Sequence, residues 1–283
     1  MAETTNIQWA DATVNFWVGC EKVSEGCKFC YMYRDFENRY KQDPTAVRRT
    51  KDATFLKALK WPEPKRIFTC SYSDFFIEAA DEFRAAAWDV IKRTPQHDWM
   101  ILTKRPERIA GCLPADWGTK GYPNVWLGTS IENEDRKGRI VDLLSVPAAV
   151  HFLSLEPLLG PVNLQQIRLK DGQDTFIDPL AGTVNNERLG VNGTLEQKIT
   201  WVILGGESGN DVGKYQHRPT KMEWITDIIN QCKESGTKIF MKQTGVQLAK
   251  ELNLQDREGG NLEELPAAIA IREFPKEKQL IKK

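Results

Sequence analysis

Residues 15–33 read NFWVGCEKVSEGCKFCYMY and carry three of the chain's six cysteines, Cys20, Cys27 and Cys30, separated by six and then two residues. Gly19 and Gly26 stand immediately before the first two cysteines and Phe29 before the third. Glycines let a backbone wrap closely, so three thiolates within eleven residues can converge on one soft-metal centre. A tetrahedral zinc site asks for a fourth ligand. The only histidines, His97, His151 and His217, are distant in sequence. Three thiolates with one position left open suit a four-iron cluster. Structural zinc and unligated reduced thiols are the alternative readings.

Outward from this loop, Thr13 to Val18 is rich in β-formers and reads as a strand feeding the cysteines. Residues 35–59 space Phe36, Tyr40, Phe55 and Leu59 through polar sequence, as one or two helices would, until WPEPK at 61–65 stops them. A rhythm then begins, with short apolar runs RIFTC (66–70), WMIL (99–102), NVWL (124–127), VHFL (150–153), TWVIL (200–204) and KIFM (238–241). Helical patterns lie between them, over Asp81–Arg93 (with Phe83, Ala87, Val90 and Ile91 on one face), 139–144 and 221–232. Strands alternating with helices predict βαβ units, hence an α/β fold with six to seven mostly parallel strands in a partial barrel. No early GxGxxG supports a nucleotide-binding doubly wound sheet.

Residues 160–199 interrupt the rhythm with Gly, Asn and Asp, and read as a loop-rich insertion, a hairpin or lid. The chain is thus expected to hold a barrel over 1–245 and a C-terminal extension over 246–283, with a short strand near 269–271 and solvated Lys282 and Lys283 at its end.

Composition narrows the class. The chain has 283 residues, 41% of them hydrophobic, enough for one large α/β domain, and no apolar run long enough to span a membrane. No basic stretch followed by an apolar run marks a signal peptide at the start. Six cysteines, three of them clustered, point to reduced thiols in a cytoplasmic protein. The 39 basic and 39 acidic residues cancel, so bulk charge gives no argument for nucleic acid. Arg48, Arg49, Lys51, Lys57, Lys60, Lys65 and Arg66 form a local basic group, read as a solvated helix face.

The ending Cys27, Phe29, Cys30 resembles the close of the radical S-adenosylmethionine (SAM) motif, although the first gap is six residues where that superfamily usually has three. The longer gap, with NFWVGC and GCKFCY, resembles a phage-encoded three-Cys-motif family of unassigned activity, described as radical-SAM-like. SYSDFF (71–76), LTKRPER (102–108), FLSLEPLLG (152–160) and GGESG (205–209) extend the likeness to about residues 7–245. The resemblance implies a partial barrel and a 4Fe–4S cluster on Cys20, Cys27 and Cys30. SAM would chelate the open iron, and a 5′-deoxyadenosyl radical would act on a nucleic acid or nucleoside with the help of a reductant. The rival reading is a zinc- or cluster-stabilised nucleic-acid-binding or regulatory protein without catalysis.

Ligand sites in parallel α/β folds form beyond the carboxyl ends of strands. Those ends supply Ser73 and Asp74, Lys104 and Arg105, Glu132, Glu156, then Gly205, Gly206 and Glu207. Glu156, aimed by Pro157, and Glu207 are the expected catalytic carboxylates. Lys104 and Arg105 offer cations to a carboxylate or phosphate. Ser73 and Asp74 stand where the resemblance places SAM contacts, Glu132 completes the expected cofactor set, and the paired glycines open the backbone to a ligand. GGE at 205–207 matches the superfamily's amino-group motif only superficially, since it follows the sixth strand and not the second. Cys70, Cys112 and Cys232 fit core positions.

Overall fold

The computed structural model describes residues 5–169, 174–186 and 188–275; Lys282 and Lys283 lie outside the described residues. The principal strands are β1 (Ala12–Val14), β2 (Arg66–Thr69), β3 (Asp98–Thr103), β4 (Val125–Ser130), β5 (Val150–Leu155), β6 (Ile199–Gly205) and β7 (Lys238–Gln243). They lie in one sheet in chain order. Partners run parallel: Ala12 faces Ile67, Arg66 faces Asp98, Trp99 faces Val125, Trp201 faces Phe152 and Val202 faces Ile239. A doubly wound sheet reverses its strand order part-way. Strict chain order instead means that every crossover turns the same way, which is the winding of an incomplete (β/α) barrel. The α/β partial-barrel class expected from the sequence holds.

The strands are apolar because both faces are covered. Every residue of β2, β4 and β5 is buried, which is why these runs show little alternation. Helices α1 (Tyr31–Asp35), α2 (Asp81–Lys92), α3 (Arg139–Leu144) and α4 (Met222–Ser235) fall between strands. In α2, Ala87, Val90 and Ile91 are buried as the periodicity predicts, and Trp88 is buried beside them. Phe83 is only half-buried, and Arg84 turns inward instead, donating from Nε to the Phe75 carbonyl (3.0 Å) and from Nη2 to that of Ile77 (2.7 Å).

Two compact units divide the chain, one holding residues up to 129 together with 146–149, the other 130–145 and 150–275. In the first, Phe16 is the hub: its ring lies 5.5 Å from Trp99, 4.8 Å from Phe55 and 6.2 Å from Phe75. In the second, Trp201 packs on Phe152 (5.6 Å) and Phe274 (5.4 Å).

Several local expectations change. The strand expected over 13–18 is broken at Asn15 and Phe16, and Trp17–Val18 instead pairs antiparallel with Arg48–Arg49. Arg48 and Arg49 therefore sit on a ribbon and not on a helix face. Residues 41–51 are non-helical between α1, prolonged by a π-turn over Phe36–Tyr40, and the short helix Asp52–Phe55. The insertion forms a four-stranded antiparallel sheet (Ile167–Arg168, Thr175–Asp178, Thr183–Asn186, Val191–Thr194). No strand forms at 269–271; one bridge, Phe240 to Arg272, lies beside β7.

Candidate functional site

The cysteine loop follows β1 and is fastened by residues of three separate motifs. Asn15, fully buried, donates from Nδ2 to Ser71 Oγ (3.1 Å) and accepts from the Tyr72 amide (3.0 Å). Trp17 donates its indole proton to the Asp74 carbonyl (3.0 Å). Gly19 donates to the Tyr72 carbonyl (3.0 Å), and its own carbonyl accepts from Ser73 Oγ (2.5 Å). At φ +94 it has a conformation that side chains rarely adopt, and a Cβ there would meet the Ala46 carbonyl oxygen at 2.3 Å. Tyr33 donates to the Cys20 carbonyl and Tyr31 to that of Ser71, each at 2.5 Å. The path of the chain into Cys20 is thus set by packing and not by loop propensity.

Asp74 is the knot behind this loop. Buried, it accepts at Oδ1 from the Phe76 amide (2.9 Å) and Thr103 Oγ1 (2.7 Å), and at Oδ2 from the Lys104 amide (2.9 Å) and Arg105 Nη1 (3.1 Å). Four bonds use the four lone-pair sites of a carboxylate, so the protein itself fills the hydrogen-bonding capacity of Asp74. Arg105 also reaches forward. Its Nη1 lies 4.0 Å from Cys20 Sγ and its Nη2 donates to the Glu21 carbonyl (2.9 Å). Burial by itself lowers the Arg105 pKa, but Asp74 and Cys20 outweigh it and hold the guanidinium charged.

The three thiols share one electrostatic environment. Burial pushes the Cys20 thiol up to about 12; Asp74 adds to this, Arg105 opposes it, and Cys30 and Cys27 raise it further. Cys30 is also raised, by burial first, against the Met32 amide and the charge of Lys104. Cys27 Sγ lies 3.8 Å from Ser24 Oγ. A bound metal cation reverses this balance by favouring thiolates, and Lys104 and Arg105 already act in that direction. Among the described residues, no three His, Cys, Asp or Glu side chains are grouped so as to hold one metal ion. One tetrahedral ion with bonds of about 2.3 Å requires thiolates roughly 4 Å apart. Three thiolates with one coordination position left over are the donor chemistry that a four-iron cluster takes.

The second unit carries the other strand-end groups. Glu132 is fully buried against Arg139, whose Nη1 donates to Oε2 (2.9 Å) and to the Ser130 carbonyl (2.8 Å). Glu207 is buried and receives the Arg218 amide and Nε at Oε2 (2.9 and 2.8 Å) and Nη2 at Oε1 (2.5 Å). Glu156 pairs with Lys242, and both side chains stay about one-fifth exposed, at 20% and 21%. Of the three glutamates it alone keeps a solvent-facing surface.

The glycines of GGE serve chain packing. A Cβ on Gly205 would press on Glu156 Cγ and Cδ at 3.1 Å, and one on Gly206 would strike the Thr244 carbonyl oxygen at 2.1 Å. Gly206 N donates to the Gln243 carbonyl (3.0 Å), and its carbonyl accepts from Gln243 Nε2 (3.0 Å). The backbone expected to be open to a ligand is therefore engaged by β7. Cys70 and Cys232 are buried as expected, whereas Cys112 is only half-buried, its Sγ 3.9 Å from Arg108 Nη2. The partners missed from sequence are Asn15, Arg139 and Arg218, whereas Thr103 and Lys242 are themselves strand-end groups that the sequence places beside the site. Asn15 alone left a signal, a polar residue inside an apolar run.

The sequence profile of DUF5131, described as a family of proteins of unknown function, matches residues 4–269. The chain belongs to that family. No curated protein matches this DUF5131 chain. Among solved structures it is similar to a cysteine-to-alanine mutant of spore photoproduct lyase with a dinucleoside spore photoproduct. The identity is 15% and the TM-score 0.35, over 50% of this chain and 44% of that one, so less than half of the lyase's length is spanned. No helix among the described residues is long and apolar enough to cross a membrane.

Proposed function

We propose that this chain is a radical SAM-type iron–sulfur enzyme in which Cys20, Cys27 and Cys30 hold a 4Fe–4S cluster and SAM takes the open iron. The observation that carries the reading is the cysteine loop itself. Three thiols in one electrostatic environment are held beyond the carboxyl ends of β1, β2 and β3 by Asn15, Ser73, Asp74 and Arg105, with two cations beside them. When bound and reduced, such a cluster supplies the electron that splits SAM and yields a hydrogen-abstracting 5′-deoxyadenosyl group.

The chain's own residues orient and shield. Arg105 and Lys104 favour ionised thiols, and Asp74 fixes Arg105 in place. Tyr33 and Ser73 hold the loop carbonyls on either side of Cys20. Glu156, with Lys242, is the accessible acid–base pair and the group proposed to act on substrate, whereas Glu132 and Glu207 hold structure. Nucleic acid or a nucleoside is the proposed substrate class, and a separate reductant must supply the electron.

The test is anaerobic purification followed by iron, sulfide and zinc analysis, then reduction and incubation with SAM. Close to four irons per chain and slow release of 5′-deoxyadenosine are expected. One stoichiometric zinc without sulfide would sink the cluster. A full cluster that neither binds nor cleaves SAM would leave a structural or sensing centre.

A further inference from the structure

The chain is electrically balanced as a whole, but its charge is unevenly placed. Residues 20–60 hold ten basic and six acidic residues, a net +4, so the remainder carries −4. This positive segment is the one that bears the three clustered cysteines, α1 and the Arg48–Arg49 strand that pairs with Trp17–Val18. The fold brings its parts together: the Cys20 amide donates to the Pro44 carbonyl (2.9 Å), and the Gln42 amide to that of Phe36 (3.0 Å).

Cations and rings interleave on this surface. Lys22 Nζ lies 4.4 Å from the Tyr33 ring centre and Lys28 Nζ 5.0 Å from that of Phe29. The Arg39 and Arg48 guanidinium groups lie 5.4 Å from the rings of Tyr40 and Phe36. An aromatic face holds a cation in position without cancelling its charge, as a carboxylate does. The large apolar side chains exposed among the described residues include two aromatic ones, Tyr31 (39%) and Tyr40 (41%), and both are here. They flank the Tyr72 ring at 5.9 and 6.4 Å.

Exposed rings at the edge of a positive track are the chemistry that binds unpaired bases, each ring stacking a base while neighbouring cations follow the phosphates. A duplex hides its base faces, and a simple polyanion has none. We propose that this surface, beside the cysteine loop, docks single-stranded nucleic acid. The proposal deepens, and rests on, the nucleic-acid side of the reading above, and it places the strand against the segment that holds the thiols.

Fluorescence anisotropy of fluorescein-labelled oligothymidylate with the full, anaerobically prepared chain tests it, with iron content and thermal melting measured on the same samples. Binding that weakens with salt is expected. Tyr40→Ala should weaken it roughly five- to hundredfold, the range for losing one base stack. The double change Arg39→Glu with Lys41→Glu should lower the slope of log affinity against log salt by about 0.7 for each phosphate that is no longer neutralised. Lys233→Glu on α4, in the other unit, should change nothing. If Tyr40→Ala is folded and binds as tightly as the parent, or if inorganic polyphosphate or duplex competes equally, the stacking surface is overturned. An iron-loaded chain that ignores the oligonucleotide overturns this surface and leaves the cluster standing; a zinc-bound chain that binds it does the reverse.

Discussion

Asp74 joins three motifs at one carboxylate: its own SYSDFF, the Thr103–Arg105 turn and, through Arg105, the cysteine loop. Single residues with such saturated bonds differ in kind from those with spare capacity, and substitutions should separate them. Replacing Cys20, Cys27 or Cys30 by Ala should abolish iron retention, whereas Cys112→Ala, whose thiol faces Arg108, should leave the metal content unchanged; iron analysis of the four variants decides. Glu156 and Glu207 should also part company. Glu207→Gln breaks a buried pair with Arg218, a loss of about 3–5 kcal/mol, visible as a melting-point drop of about 6–15 °C. Glu156→Gln should melt nearly normally. It should lower turnover by losing one charge-assisted hydrogen bond, about 1.5–3 kcal/mol, hence about ten- to hundredfold. Equal melting points for the two would mean that their roles are misassigned.

At the scale of elements, two backbone approaches decide the architecture near the site. The loop after β1 passes under residues 44–47 at Gly19, and the loop after β6 passes the turn after β7 at Gly206. Gly19→Ala combines a strained φ with a Cβ at 2.3 Å from a carbonyl oxygen that is backbone and cannot swing aside. It should therefore lower stability and iron retention together. Gly138→Ala, where a Cβ meets nothing within 4 Å, should do neither. Parallel melts and iron analysis of the two variants test whether the loop's path, and not glycine's flexibility in general, is what the proposed cluster needs. The small antiparallel sheet within 160–199 shows the limit of composition as a guide. Its polar strands alternate only partly with the apolar ones, and pairing among themselves satisfies their backbone.

Across the whole molecule, buried thiols make stability depend on pH. Burial pushes Cys232 up to about 12, with Glu273 adding to it. An unfolded thiol releases its proton near 9, so between about 9 and 12 the native chain keeps a proton that the unfolded chain has lost. Stability is then fully present below about pH 9 and falls as pH rises through that window. Cys20 and Cys70 shift in the same direction. Denaturant unfolding of the metal-free chain should show the decline, and Cys232→Ala should flatten it by up to about 1.4 kcal/mol per pH unit. An unchanged slope in that variant would show that this thiol ionises normally.

The sequence by itself determined the winding and drew attention to the cysteine cluster. Short apolar strands recur between amphipathic helices, and hydrophobicity and its period are local properties that survive without coordinates. Three clustered cysteines likewise announce themselves by spacing alone. Only the tertiary structure decided which strand-end groups stand open and which are already used. Glu132, Glu156 and Glu207 look equivalent in the chain, each a carboxylate just beyond a strand, because their partners Arg139, Lys242 and Arg218 lie up to 86 residues away. The same holds for GGE: a glycine pair reads the same whether a ligand or Thr244 fills the space beside it. Hydrogen-bond capacity and excluded volume are set by neighbours in space, and no local pattern encodes which neighbours arrive.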